Sequence, residues 1–290
     1  MHATLNRCRT VALLGLPPVA MMLVGLFFGR IVLVVAMVGG IGVAAYVYLM
    51  SGNLALRAMH ARRVSELQHP ALYRVVRDLS TTARHPMPTL YVSPTRAPTA
   101  FAVGHNPGAA SLCCTAGLLD ALDERGLRAV VAHELAHVHH RETLVGSVAG
   151  ALAAVLCGLS GFGYLVSGFD GVRRGAGDGA PRTPRSVRAA LALLAPPAAL
   201  IVRCAAPRAC ELHADERGAV LCADPEGLAR ALETLDSAAR AAPLPPEPEL
   251  VTQAHLMIVP PFRPDDAVVR RFSFHPPVAE RTARLRAMIG

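Results

Sequence analysis

The sequence predicts an α+β fold, mainly helical with a small β-sheet, in which several helices are long enough to cross a membrane. Three observations carry this. The 290 residues are 52% hydrophobic and only 17% charged, with mean hydropathy +0.38, against roughly 25% charged for an average soluble domain. The apolar surplus gathers into uncharged runs, and 20 helical residues rise about 30 Å, the thickness of a bilayer's hydrocarbon core. Between those runs the apolar spacing is mostly helical, with three short strand candidates in one proline-rich stretch. High hydrophobicity with low charge also excludes a disordered chain.

Residues 1–56 read as a transmembrane hairpin. Val11 to Phe28 and Ile31 to Met50 carry no charge, and Gly29-Arg30 separates them, with Arg30 the single charge. Pro17-Pro18 interrupts the first run. A signal peptide is the competing reading of that run, but it needs a small-residue cleavage site, and no second full-length run should follow at once. A hairpin turning at Gly29-Arg30 fits better. Arg7 and Arg9 precede it, and Arg57, Arg62 and Arg63 follow it. The positive-inside bias then puts both ends in the cytoplasm.

Residues 57–142 read as soluble. Leu72, Val75, Val76 and Leu79 form one helical stripe within His69 to Thr82. Pro86, Pro88, Pro94 and Pro98 then forbid a long helix. Thr89 to Ser93, Thr99 to Val103 and Ala110 to Thr115 are the strand candidates. Asp123-Glu124 opens a helix with acidic residues in its first turn, as the helix dipole prefers. It runs through Val130, Val131, Leu135 and Val138.

Residues 143–204 form a pair of hydrophobic segments, transmembrane or re-entrant. Thr143 to Phe169 is uncharged and long enough to span. Ala189 to Val202 is short for a span and broken by Pro196-Pro197. The loop between them holds Arg173, Arg174, Arg182, Arg185 and Arg188, which argues against its export. Residues 205–290 are soluble again, with helices over Ala209 to Cys222, Glu226 to Ala242 and Pro277 to Met288, and loops at Pro243 to Pro248 and Pro260 to Asp266. No internal repeat is evident.

The net charge is +8, and every basic residue is Arg. Nucleic-acid binders usually carry a basic stripe with interleaved aromatics. Aromatics are only 4% here, and the arginines are scattered, so nucleic acid is not an expected partner. The cysteines are Cys8, Cys113, Cys114, Cys157, Cys204, Cys210 and Cys222. Their number is odd and no C-x-x-C pair occurs, so they read as small buried hydrophobes in a reducing compartment.

The chemistry centres on His133-Glu134-Leu135-Ala136-His137. On a helix, positions i and i+4 share a face, so both imidazoles reach one metal ion. Glu134 lies beside them, placed to hold an attacking water and take its proton. A catalytic zinc needs a third protein ligand and an open position. His139, His140, Glu211 and His213 are the candidates. A rigid helix cannot easily wrap His140 around the same ion as His133 and His137. Glu211 is better placed, because Glu211-Leu-His-Ala-Asp215 puts two carboxylates on one face of a second helix. One can ligate the metal while the other orients a ligand histidine.

Thr99-Ala-Phe-Ala-Val-Gly-His-Asn-Pro, Thr115-Ala-Gly-Leu-Leu, His133-Glu-Leu-Ala-His with Arg141-Glu-Thr-Leu, Glu211-Leu-His-Ala-Asp215 and Phe274-His-Pro-Pro with Arg281 follow in order along nearly the whole chain. This pattern resembles the HtpX family, membrane-embedded zinc metalloproteases of bacterial membrane quality control, related to CAAX prenyl proteases. The family usually has Asn at position 99, Thr at 103 and Ser or Thr at 274. The resemblance implies a zincin-like metalloprotease domain of the HExxH…ExxxD gluzincin type beside the transmembrane helices. By it His133, His137 and Glu211 hold one Zn²⁺ per chain, and Glu134 is the base. Asp215 is expected to orient a ligand histidine. His275 and Arg281, from the C-terminal His-Pro motif, are candidate donors to the oxyanion. Ala109, Ala110, Ser111, Leu112 and Cys113 are expected to form an edge strand that pairs with extended substrate.

The expected partners are unfolded or membrane polypeptides and membrane lipid, at a multi-pass inner (plasma) membrane with the site facing the cytoplasm. A CAAX-type prenyl protease and a catalytically silent zinc-binding scaffold are the alternatives. A shared metal also constrains topology: His137 and Glu211 must lie on one side, so residues 143–204 cross zero times or twice. Two crossings are the favoured reading.

Overall fold

The computed structural model describes residues 2–167, 185–263 and 275–289. Most of the arginine-rich loop and Phe274 fall outside the described residues.

Helices α1 (His2–Gly25) and α2 (Arg30–Ala58) form the expected hairpin and run further than the uncharged runs themselves. Pro17 and Pro18 are accommodated inside α1. A side chain at Gly40 of α2 would lie 2.4 Å from the Pro18 Cα, so the bare glycine lets the partner helix close on the proline pair. The hairpin turns its apolar side chains outward: Phe27 is 86% and Ile31 82% exposed. A soluble fold rarely leaves so much contiguous apolar surface uncovered.

Four strands make one mixed sheet: β1 (Arg62–Arg63), β2 (Thr89–Ser93), β3 (Ala100–Gly104) and β4 (Ala110–Thr115), in the order β1-β2-β4-β3. β4 pairs parallel with β2 and antiparallel with β3, with Leu112 opposite both Leu90 and Ala102. The expectation that Ala109 to Cys113 form an edge strand is therefore wrong. Ala109 ends a 3₁₀ turn, Ala110 pairs with β3, and the backbone of Ser111 to Cys113 is committed on both sides. The edges are β1 and β3. Pairing order depends on contacts remote in sequence, which local alternation cannot report.

Helix α3 (Pro70–Thr82) buries Leu72, Val75, Val76 and Leu79, the stripe read from the sequence. A short helix, α4 (Ala116–Ala121), follows β4, its first turn capped by the Thr115 hydroxyl accepting from the Leu118 N–H. α5 (Glu124–His139) is capped by Asp123, whose carboxylate accepts from the Gly126 N–H at 2.7 Å. Such caps are worth about 1 kcal/mol each. Leu79, Leu90, Leu112, Val130 and Val131 meet Leu228 and Leu232 of α9 (Pro225–Ala241) in the main core.

After α5, Arg141 takes a left-handed conformation (φ 59°), and the chain turns through 84° into α6 (Glu142–Ser167). Val145, Val148, Ala149 and Leu152 of α6 are buried with Leu13 of α1 and Val47 of α2. The proline-broken fourth segment is longer than its uncharged run: α7 spans Arg185–Ala205, with Pro196 and Pro197 inside it. In membrane helices neighbouring helices and side chains can satisfy the backbone groups that prolines free. Ala205 packs near the start of α6, and Ala195 and Ala198 pack near Cys157 further along it. The pair is thus antiparallel, and its two ends return to one place. α8 (Arg208–Cys222), α10 (Pro248–Val251) and α11 (Val278–Arg286) complete the described helices. Length and composition qualify three stretches as membrane spans: Thr4–Gly25, Arg30–Ala58 and Leu193–Cys222; the bent α5–α6 pair is a further broken candidate.

Cys113, Cys114, Cys157 and Cys222 are buried, whereas Cys8 and Cys204 are exposed. The small-hydrophobe reading holds for the first four.

A candidate metal centre

Helices α5 and α8 cross at Gly218. A Cβ there would sit 2.8 Å from the His133 backbone, so only glycine permits so close an approach without a shift. Glu211, Asp215 and Gly218 fall at i, i+4 and i+7, on one face of α8. The crossing therefore lays both carboxylates against the two histidines of α5.

His133 Nε2 and His137 Nε2 lie 3.2 Å apart. Glu211 Oε1 is 3.5 Å from His137 Nε2, and Glu211 Oε2 is 3.8 Å from His133 Nε2. These three residues form a group able to hold one metal ion. Glu211 Oε2 and Glu134 Oε1 are buried with no hydrogen-bond partner among the described residues. Two imidazoles and a carboxylate are also a donor set that zinc accepts. The residues fit a metal ion.

Each histidine is held from behind. His133 Nδ1 faces Asp215 Oδ1 at 2.9 Å. Arg281 donates to both Asp215 oxygens at 2.7 Å and to the Ile258 carbonyl at 2.7 Å. His137 Nδ1 faces Glu142 Oε2 at 2.7 Å. Glu134 accepts from the Ala102 N–H of β3. Burial pushes the Glu134 carboxyl up to about 8, only partly countered by His137. Burial lowers His137, but Glu142 and Glu211 outweigh it and raise it to about 9. Burial pushes His275 down to about 4.

The structure thus brings together His133, Glu134, His137, Glu211 and Asp215. His275 lies at the rim, its Nε2 3.9 Å from Glu211. Arg281 is 1% exposed: it donates to Asp215 and to the Ile258 carbonyl, and its Nη2 lies 3.6 Å from Glu211 Oε2. It sits behind His133, on the Asp215 side. Ala110 to Cys113 lie inside the sheet. Two residues were missed by the sequence reading. Glu142 opens α6 directly after the kink, and its place at the head of an apolar run was the available signal. His255 joins Ala102, Glu134, His137 and Gly146 around a cavity of about 40 Å³, room for a few waters. No sequence pattern marked it.

An HExxH helix crossed by an ExxxD helix beside a small mixed sheet, with apolar helices attached, is the architecture of a zincin-like metalloprotease domain joined to candidate membrane spans. Residues 66–289 match the model of peptidase family M48. Proteins described as protease HtpX homologs are similar along the whole chain. That of Kineococcus radiotolerans is 48% identical, covering 100% of this chain and 99% of the relative. That of Arthrobacter sp. is 43% identical over 100% and 99%, and that of Bifidobacterium longum 38% over 99% and 94%. No solved structure matches the chain. The chain belongs to the HtpX family of M48 peptidases.

Proposed function

We propose that this protease is a zinc-dependent endopeptidase of the inner (plasma) membrane that hydrolyses misfolded or damaged membrane proteins on the cytoplasmic side. The observation that carries the reading is the convergence of His133, His137 and Glu211 beside the buried, half-satisfied carboxyl of Glu134. His133, His137 and Glu211 would hold the zinc. When bound, zinc supplies Lewis acidity to the scissile carbonyl and to water. Glu134 takes the proton from the attacking water and later delivers it to the leaving amine. Its raised affinity for protons suits that return step.

Glu211 fixes the third side of the site while His133 and His137 are aimed by Asp215 and Glu142. His275 is the remaining candidate for steadying the oxyanion, from the rim. β3 is an edge strand lying against Glu134, and an extended substrate pairing along it through main-chain bonds, with the Ala102 N–H exchanging Glu134 for the substrate, would favour broad specificity. The unfolded or membrane polypeptides expected as substrates suit such an edge. A silent structural site would usually be closed by four protein ligands. Three donors converge among the described residues, with a general base beside them, which supports the enzyme over the scaffold.

The antiparallel α6–α7 pair brings Glu142 and Glu211 to one side, as an even number of crossings requires, and the length and apolar character of the two helices favour two over none. The arginines flanking the hairpin support the cytoplasmic assignment. The test is cleavage of a loosely folded polypeptide by purified protein in detergent. Activity lost to a chelator and restored by Zn²⁺ supports the reading. Activity indifferent to chelator, or absent after zinc is restored, overturns it.

A further inference from the structure

Glu142 is carried to His137 by a turn, and that turn is held from the membrane hairpin. α5 ends at His139, Arg141 is left-handed (φ 59°), and Glu142 opens α6. The His140 N–H donates to the Ala136 carbonyl at 3.1 Å and the Arg141 N–H to the Val138 carbonyl at 3.2 Å. A residue other than glycine stays at positive φ only where its surroundings over-determine it.

The last carbonyls of a helix have no partner within it. The carbonyl of His140, the C-cap residue of α5, accepts from Asn6 Nδ2 of α1 at 3.0 Å, across 134 residues. Asn6, Thr10 and Leu13 fall at i, i+4 and i+7 and form a buried face of α1. Asn6 Oδ1 accepts from Arg9 Nη1 at 3.4 Å, which turns the amide nitrogen toward the turn. Arg9 is also within electrostatic reach of Cys210, whose thiol donates to Glu142. The start of α1 thus bears on Glu142 by two routes, through the His140 backbone and through Cys210. A buried carboxamide is costly unless its groups are paired, and this one is paired to the turn. An apolar residue would have served to pack α1 alone, as Leu13 does against Val145, Val148 and Ala149 of α6.

We propose that Asn6 is a positioning residue of the metal centre. By holding the His140 carbonyl it fixes the Arg141 turn, and so keeps Glu142 2.7 Å from His137 Nδ1. The seating of α1 and the aim of His137 are then one arrangement, joined through a single side-chain amide. The consequence for metal binding rests on the zinc reading above, whereas the order of the turn does not.

The test uses full-length protein in detergent. Asn6→Asp keeps the size of the side chain and removes the donor. Leu13→Ala loosens the packing of α1 on α6 and keeps the donor. In metal-free protein, hydrogen exchange across residues 138–145 should rise at least about tenfold in Asn6→Asp, and by less in Leu13→Ala. Zinc affinity, by competition with a chelating dye, should fall about threefold to tenfold in Asn6→Asp, no more than a direct partner of a ligand contributes at the low end. Added to Glu142→Gln, Asn6→Asp should bring no further loss, because it acts through Glu142. Equal exchange in the native and Asn6→Asp chains overturns the proposal, whatever metal they bind. Losses of zinc affinity that multiply in the double variant overturn it too, since they mark a cap with no path through Glu142. Native protein that takes up no zinc, with exchange raised in Asn6→Asp, overturns the zinc reading and supports the hold on the turn.

Discussion

The two histidines of the candidate centre are supported in opposite ways. Behind His133 stands a chain fully inside the protein: Asp215, then Arg281, then the Ile258 carbonyl, with the side chains of His133, Asp215 and Arg281 at most 3% exposed. Behind His137 stands Glu142, itself hydrogen-bonded by the Cys210 thiol, and His137 and Glu142 are both about 15% exposed. The first support ties α5 to α8 and the C-terminal helix α11. The second ties α5 to the start of α6, the helix buried against the membrane hairpin. The difference teaches that one ligand is anchored to the soluble core and the other to the membrane-associated part. The metal centre is thus a junction of the two.

Breaking the buried support should cost most. Arg281→Leu leaves Asp215 buried without its partner, a loss of about 3–5 kcal/mol. Thermal or denaturant unfolding in detergent should show this as the largest destabilisation in the set. Glu142→Gln keeps a hydrogen-bond acceptor and should cost about 1 kcal/mol. Equal losses for the two would erase the contrast.

Metal affinity sharpens the same comparison. Partners of ligand histidines typically contribute 10–100-fold. Asp215→Asn should fall near the upper figure and Glu142→Gln near the lower, by competition with a chelating dye. Gly218→Ala should lie between, because a Cβ 2.8 Å from the His133 backbone forces α8 off α5, at about 1–3 kcal/mol.

The smallest effect is the shift that Glu142→Gln makes in a pH profile. His137 is raised to about 9 by Glu142 and Glu211 against the lowering from burial. Metal binding needs the neutral ring, so below that value a proton must leave as the ion enters. Zinc affinity should therefore rise about tenfold per pH unit from 7 toward 9, then level off. In Glu142→Gln the levelling should move to lower pH. Isothermal titration in buffers of differing ionisation heat reads the proton count directly.

Much of this was legible in the sequence because it is local. Thr89 to Ser93 and Ala110 to Thr115 were read as strands with the bounds they have, and the i, i+4 spacing of His133 and His137 set their common face. What was hidden depends on distance or on a broken period. The place of β4 inside the sheet follows from pairing with β2 and β3. Arg281 meets Asp215 across 66 residues, so proximity to the site was readable but not the side it occupies. Glu142 stands five residues after His137, outside helical spacing. Only the left-handed turn at Arg141 swings it back. The two-residue strand β1 is too short for any periodicity to reveal.

The most direct test of the central claim is the Glu134→Gln variant, assayed for bound zinc and for cleavage of a loosely folded polypeptide in the same preparation. The geometry predicts zinc retained near the native content at the His133, His137 and Glu211 site, with cleavage reduced by at least about a hundredfold. Native-level cleavage by the zinc-loaded variant would contradict it.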